Sequence, residues 1–276
     1  MRGRYQALML AVGGMALPGF GWFGAAVVGL VTLRKGWLDG SLLLLWASIP
    51  ALGWLIVAQE PGPLVVLAGV VMLSYVLRMT TSWSQVLGVA VVLGIPTGLL
   101  FAVTSEAAIE QVIDFFVELS KQSGEQAVIE DVDRLALGKM LVGLFTAGQL
   151  SVMLAALALA RWWQSVLYNP GGFGEEFRHL KLPRGMVLTL ITLMVICYVS
   201  GEPYLGSWIL VLMVPLMVNS IALVHWLAKE KKLGGNWLVI FYLLLLFFMQ
   251  FMLPLLAIVA VTDSWIDLRK RISANQ

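Results

Sequence analysis

The chain has 276 residues, 60% of them hydrophobic and only 12% charged, with a formal net charge of +2 and a mean hydropathy of +0.89. Charged residues alone make up roughly a quarter of an ordinary soluble domain, so that class is excluded, and a nucleic-acid binder with its strongly basic surface is excluded with it. What remains is an all-α, polytopic transmembrane helix bundle forming one unit over 1–276, in which the placement of Lys and Arg tells more than their total.

A span needs about 20 apolar residues at 1.5 Å each to cross ~30 Å of hydrocarbon. The first apolar run, 5–33, is too long for one upright pass and too short for two ordinary ones. Leu17-Pro18-Gly19 interrupts it, and Gly13, Gly14, Gly21, Gly24 and Gly29 offer close-packing surfaces, which predicts a tight or re-entrant hairpin. A chain that turns back also brings Arg2 and Arg4 to the side of Arg34 and Lys35. Met1-Arg2-Gly3-Arg4 before an apolar run mimics a signal peptide, but no convincing small-x-small cleavage site precedes Pro18, so a retained anchor is expected.

Further spans are predicted at 42–58, 64–77 and 86–103, with turns at Glu60-Pro61-Gly62-Pro63 and Arg78-Met79-Thr80-Thr81. A polar insert, 104–134, follows. Ile109, Val112, Ile113 and Phe116 recur there at helical spacing, and Glu106, Glu110, Asp114 and Glu118 stand four apart, so an acidic amphipathic helix is expected outside the membrane or capping the bundle. Steps of four drift around a helix by about 40° each, which spreads these acids over a solvated face and converges them on no cation. Asp131 and Asp133 lack the glycine and terminal Glu of a calcium loop.

After a span at 141–160 comes the longest Gly-rich polar loop between spans, 161–184, aromatic and basic. Arg161-Trp162-Trp163 has the composition of an interface anchor, with rings at headgroup depth and a snorkelling cation. Tyr168-Asn169-Pro170-Gly171-Gly172 signals a turn. A short amphipathic helix begins near Glu175, placing Phe173, Phe177 and Leu180 where they can dip into the interface and Arg178 and Lys181 where they can meet a phosphate or a partner's acid. The loop is thus either an anchored turn or a docking and headgroup-binding face built on Trp162, Trp163, Asn169, Phe173, Phe177, Arg178 and Lys181. Gly171-Gly172-x-Gly174 lacks the Lys-Ser/Thr of a nucleotide loop.

Spans at 186–200, 205–226 and 237–261 complete about eight to nine hydrophobic segments, the last long enough to tilt or to kink at Pro254. Span interiors drawn this way contain no Asp, Glu, Lys or Arg, which weighs against a proton-driven transporter or pump. Gln149, Asn219 and Gln250 serve either as hydrogen-bonding glue between helices or as the lining of a small polar ligand pocket. Cys197, the single cysteine, reads as a small buried hydrophobe. Two histidines, one thiol and no His-x-x-x-His or Gly-x-Ser-x-Gly give no support to metal or hydrolytic chemistry, and no cofactor is expected. Glu175, Glu176 and His179 are the acid-base candidates near an interface, and neighbours on one short helix converge poorly.

With the N-terminus cytoplasmic, Arg34, Lys35, Arg78, Arg161, Arg178, Lys181, Arg184, Lys229, Lys231 and Lys232 fall inside and the acidic insert outside. Arg269, Lys270 and Arg271 would then emerge on the wrong side.

Tyr168-Asn169-Pro170, Ala222-Leu223-Val224-His225 and Asp263-x-x-x-Asp267-x-Arg269 together resemble the YybS-like family of bacterial integral membrane proteins. That family is in turn distantly similar to the substrate-capture components of energy-coupling-factor transporters. The resemblance implies a non-catalytic bundle in the bacterial inner membrane that binds a small molecule and borrows an ATPase module from other chains, with Ala7-x-x-x-Ala11 as the docking motif. The other reading is a structural or assembly protein of the cell envelope.

Overall fold

In a computed structural model of the protein, residues 4–122 and 134–274 are described, and all regular structure among them is helical. The elements are α1 (Arg4–Ala16), α2 (Gly21–Lys35), α3 (Trp37–Ala58), α4 (Gly62–Thr80), α5 (Trp83–Thr104), α6 (Glu106–Gln122), α7 (Arg134–Tyr168), α8 (Gly172–His179), α9 (Arg184–Val199), α10 (Pro203–Glu230), α11 (Gly235–Phe247), α12 (Met249–Ile266) and α13 (Leu268–Ala274). Six of them, α3, α4, α5, α7, α10 and α12, are long and apolar enough to cross a membrane, and a seventh candidate is the α8–α9 pair, bent by 61°. Val57, Val103, Leu188 and Phe247 stand exposed on outward faces, a surface suited to hydrocarbon and not to water.

The expected N-terminal hairpin is present. The chain turns at Leu17 to Phe20, and α1 lies against α2 so closely that a Cβ on Gly14 would sit 2.9 Å from the Gly24 nitrogen, while one on Gly24 would sit 2.7 Å from the Ala11 carbonyl. Only glycine lets two helix backbones approach in this way. The Trp54 indole of α3 donates to the Met15 carbonyl at 3.0 Å and ties the turn down. Thirteen residues in α1, and thirteen in α11, reach about 20 Å, short of a full crossing, which is why hydrophobic segments in the sequence and crossing helices in the fold do not match one for one.

α2 is the buried centre of the first half, packed by α1, α3, α4 and α7, with Ala25, Ala26, Val27 and Val28 fully enclosed. α7 is the spine. Its 35 residues, about 52 Å, touch α2, α4 and α5 on one side and α10 on the other. α10 then carries α9 and α12.

Three expectations change here. The predicted span 237–261, expected to tilt or kink at Pro254, is instead broken at Phe248 into α11 and α12, and Pro254 is accommodated inside α12. The basic tail does not emerge on the far side. The chain leaves α10 at Glu230 and, 43 residues later, the Ser273 hydroxyl donates to the Glu230 carboxylate at 3.1 Å, so α11 and α12 together bring it back where it left. Lastly, Ala7 and Ala11 are buried in the α1–α2–α3 contact. That small-residue stripe is occupied by the protein's own helices, not free for docking.

Candidate functional site

One end of the bundle collects the basic residues. The C-terminus of a helix exposes unbonded carbonyls and the negative pole of its dipole, so cations gather there. Arg78, in the last turn of α4, donates to the Leu33 carbonyl at the end of α2 at 2.6 Å. Arg184 donates to the last carbonyls of α12, Ser264 at 3.2 Å and Trp265 at 3.1 Å. Arg269 donates to the Leu180 carbonyl at 2.7 Å.

Two side chains are arranged differently. Arg34 lies over the face of Tyr168, 4.7 Å from the ring centroid. Arg161 spreads its guanidinium three ways: Nε to Glu176 Oε2 at 3.0 Å, Nη2 to Glu176 Oε1, and Nη1 to Gln164 Oε1 at 2.7 Å. Two polar cavities meet at this residue. One, about 180 Å³, is lined by Arg34, Arg161, Gln164, Ser165, Tyr168, Asn169 and Gly172. The other, about 220 Å³, is lined by Arg78, Thr81, Arg161, Gln164 and Glu176 with Leu33 and Leu77. Glu176 is the only carboxylate among the residues lining either. The elements that build this cleft are three helices ending together (α2, α4 and α7) and the short α8, held by its apolar side: Phe173 packs on Trp83 (centroids 5.9 Å) and Phe177 on His225 (5.6 Å).

Beside the cleft, a charged clasp joins the 180–184 segment to the C-terminal helices. Lys181 pairs with Asp267 at 3.1 Å, and Arg269 lies 3.8 Å from Asp263. Ser264 donates to the Leu182 carbonyl at 3.3 Å, and the Leu182 amide donates to Asn219 Oδ1 at 3.0 Å. Desolvation works against ionised Asp267, but the hydrogen bond and charge of Lys181 outweigh it and hold the carboxyl below its ordinary range. Burial pulls the Arg269 guanidinium below its usual value, with Asp263 and Asp267 opposing. Asp263 is fully enclosed, and neither carboxylate oxygen has a hydrogen-bonded partner among the described residues.

The sequence-level candidates separate into two groups. Trp162 is exposed and Trp163 packs edge-on against Phe23 (5.6 Å), and neither lines the cleft, whereas Asn169 does. Phe173, Phe177 and Leu180 face the protein and not the interface, and Lys181 takes its acid from this chain, because helix α8 folds back under α10. Arg178 lies along α8, its Nη1 3.1 Å from where a Gly174 Cβ would be. Gln149, Asn219 and Gln250 do not share a pocket. Gln149 lies by Gly62 and Glu60, Asn219 is buried against Leu182, and Gln250 faces a largely apolar groove with Leu210 and Met213. Side chains far apart along tilted helices are brought together by crossing angles, which periodicity does not encode.

On the acidic helix α6, Glu110 and Asp114 both accept from Arg134 Nη2, at 2.8 and 2.7 Å. The remainder of the insert, 123–133 with Asp131 and Asp133, lies outside the described residues. Glu175 and His179 of α8 meet only through the Glu175 carbonyl, at 2.8 Å from the His179 ring, while Glu176 turns to Arg161.

Sequence reading ended the last span at 261, ahead of Asp263, which instead sits in the final turns of α12, and it missed Arg34 and Glu176 as parts of one cleft. The Asp263-x-x-x-Asp267-x-Arg269 spacing was the available signal for the clasp; for the cleft there was none. Set against family models, curated proteins and solved structures, the chain finds no match in any of the three.

Proposed function

We propose that this chain is a non-catalytic, multi-pass protein of the bacterial cytoplasmic membrane that holds a small anionic molecule in the arginine-lined cleft at its cytoplasmic end. One observation carries the reading: Arg34 and Arg161, from two different helices, line a single 180 Å³ cavity, and neither is consumed by capping a helix terminus. Guanidinium groups are weakly hydrated planar forks suited to carboxylate and phosphate. The Lys and Arg bias supports placing this end in the cytoplasm. A capture component of an energy-coupling-factor type of transporter, which the sequence resembles only distantly, is a narrower form of the same reading and requires an ATP-hydrolysing partner to co-purify.

Mass spectrometry on the chain extracted from its own membrane in mild detergent tests it. An anionic molecule should leave the wild type on denaturation and be depleted from Arg161→Gln. If neither sample carries one above the level of a control membrane protein, the reading fails.

A second reading, an envelope assembly protein, draws on α6, whose Phe115 and Phe116 stand exposed beside its acids. Deleting 104–134 should then abolish a protein contact; an intact assembly after the deletion counts against it.

A further inference from the structure

We infer that Glu176 is an internal stand-in for a phosphate group, and that the cleft's ligand is a phosphate-bearing anion that displaces it from Arg161. This rests on the anion-binding reading and makes it specific.

Arg161 presents Nε and Nη2 to the two oxygens of Glu176, the fork-to-fork arrangement in which a guanidinium takes either a carboxylate or two oxygens of a phosphate. The two acceptors differ in what else they can do. A carboxylate has two oxygens and one charge, and Glu176 uses both oxygens on Arg161. A phosphate has a third oxygen and, near pH 7, up to a second charge.

The cavity next to Arg161 holds that second charge's complement. Arg34 is fixed over Tyr168, and Ser165, Tyr168 and Asn169 add polar groups on the same walls. Glu176 lines the neighbouring cavity with Arg78 and is absent from the walls of this one. Arg34 is thus the cation that the internal carboxylate does not serve, and a dianion bridging Arg161 and Arg34 would neutralise both.

Size agrees. Cavities of 180 and 220 Å³ are below the ~300–1,000 Å³ of drug-sized sites and suit a single headgroup or a small phosphorylated molecule. Trp162 and Trp163, next to Arg161 in sequence, are of the residue type that favours the level of lipid headgroups. The phosphate can therefore come from a lipid or from solution, and the test separates the two.

Purified full-length chain is titrated with inorganic phosphate in neutral detergent, and separately with phosphatidate in mixed micelles of phosphatidylcholine, with acetate as the carboxylate control. Glu176→Gln keeps the side chain's shape while removing its charge, so it should bind about tenfold tighter than wild type, the size of effect expected when a charge-assisted competitor is removed. Arg161→Lys, which keeps the charge and loses the fork, should bind about tenfold more weakly. Response to inorganic phosphate identifies a soluble source, and response to phosphatidate alone identifies a headgroup. Either pattern supports the inference.

Weaker binding in Glu176→Gln overturns it, as does absence of binding to both probes by wild type and Glu176→Gln. Recovery of a non-phosphate anion from the native protein would leave the general reading standing and remove this one.

Discussion

Removing the Asp263 carboxylate tests whether the clasp is a buried ion pair that secures the C-terminal helices. Asp263 is fully enclosed and the Arg269 side chain is 11% exposed, at 3.8 Å. At that distance two unit charges interact by ~4 kcal/mol at an effective dielectric of ~20. Deleting one partner of a buried pair costs up to ~3–5 kcal/mol, and without Asp263 the Arg269 charge is left with only the Leu180 carbonyl and the more distant Asp267 to offset it. Asp263→Ala is therefore expected to lower thermal stability in detergent by about 10 °C, taking ~2–4 °C per kcal/mol for a chain near this size. Tryptophan fluorescence and circular dichroism follow the transition. The apolar pair Asp263→Leu with Arg269→Met, which removes both charges at once, should recover most of the loss. A single Asp263→Ala variant that melts within 2 °C of wild type would refute the reasoning, since the pair would then contribute almost nothing.

Other outcomes follow from the same geometry. Asp267, held below the usual carboxylate range by Lys181, contributes stability that is fully present above its unfolded value of about 3.9 and is lost as pH falls through its lower folded value. The contribution of Asp267 to melting should thus be present and independent of pH between pH 5 and 8. Asp267→Asn, which also suits the left-handed backbone (φ 55°), should shrink the loss of stability on acidification below pH 4; an unchanged acid limb argues against the pair. A Cβ on Gly143 would lie 2.5 Å from the Ser207 Cβ of α10, so Gly143→Ala should cost ~1–3 kcal/mol by forcing α7 and α10 apart. Gly148→Ala on the same helix meets nothing within 4 Å and should be neutral or slightly stabilising, and equal melting shifts for the two would contradict the packing. Trp54→Phe removes the indole donor to the Met15 carbonyl, about 1 kcal/mol, and should raise the labelling rate of a cysteine placed at Gly19; no change in rate would show that the bond does not hold the turn.

The medium and the helices were legible in the sequence because both are local properties. Long apolar runs must satisfy their backbone internally when no water is available, and Leu17-Pro18-Gly19 with its flanking glycines marked a hairpin by the same logic. The acidic helix announced itself through spacing alone, Ile109 and Ile113 on one side and Glu110 and Asp114 on another.

Side-to-side partnerships were not legible. Whether Lys181 met a foreign acid or Asp267, whether Arg34 and Arg161 shared a cavity, and whether the tail returned to Glu230 all depend on how helices cross and where α12 breaks. Those are decided by ridge-into-groove packing and by a single distorted residue, Phe248, within an otherwise uniform apolar stretch. Composition fixes which surfaces must leave water; only the packed bundle determines which charges then face one another.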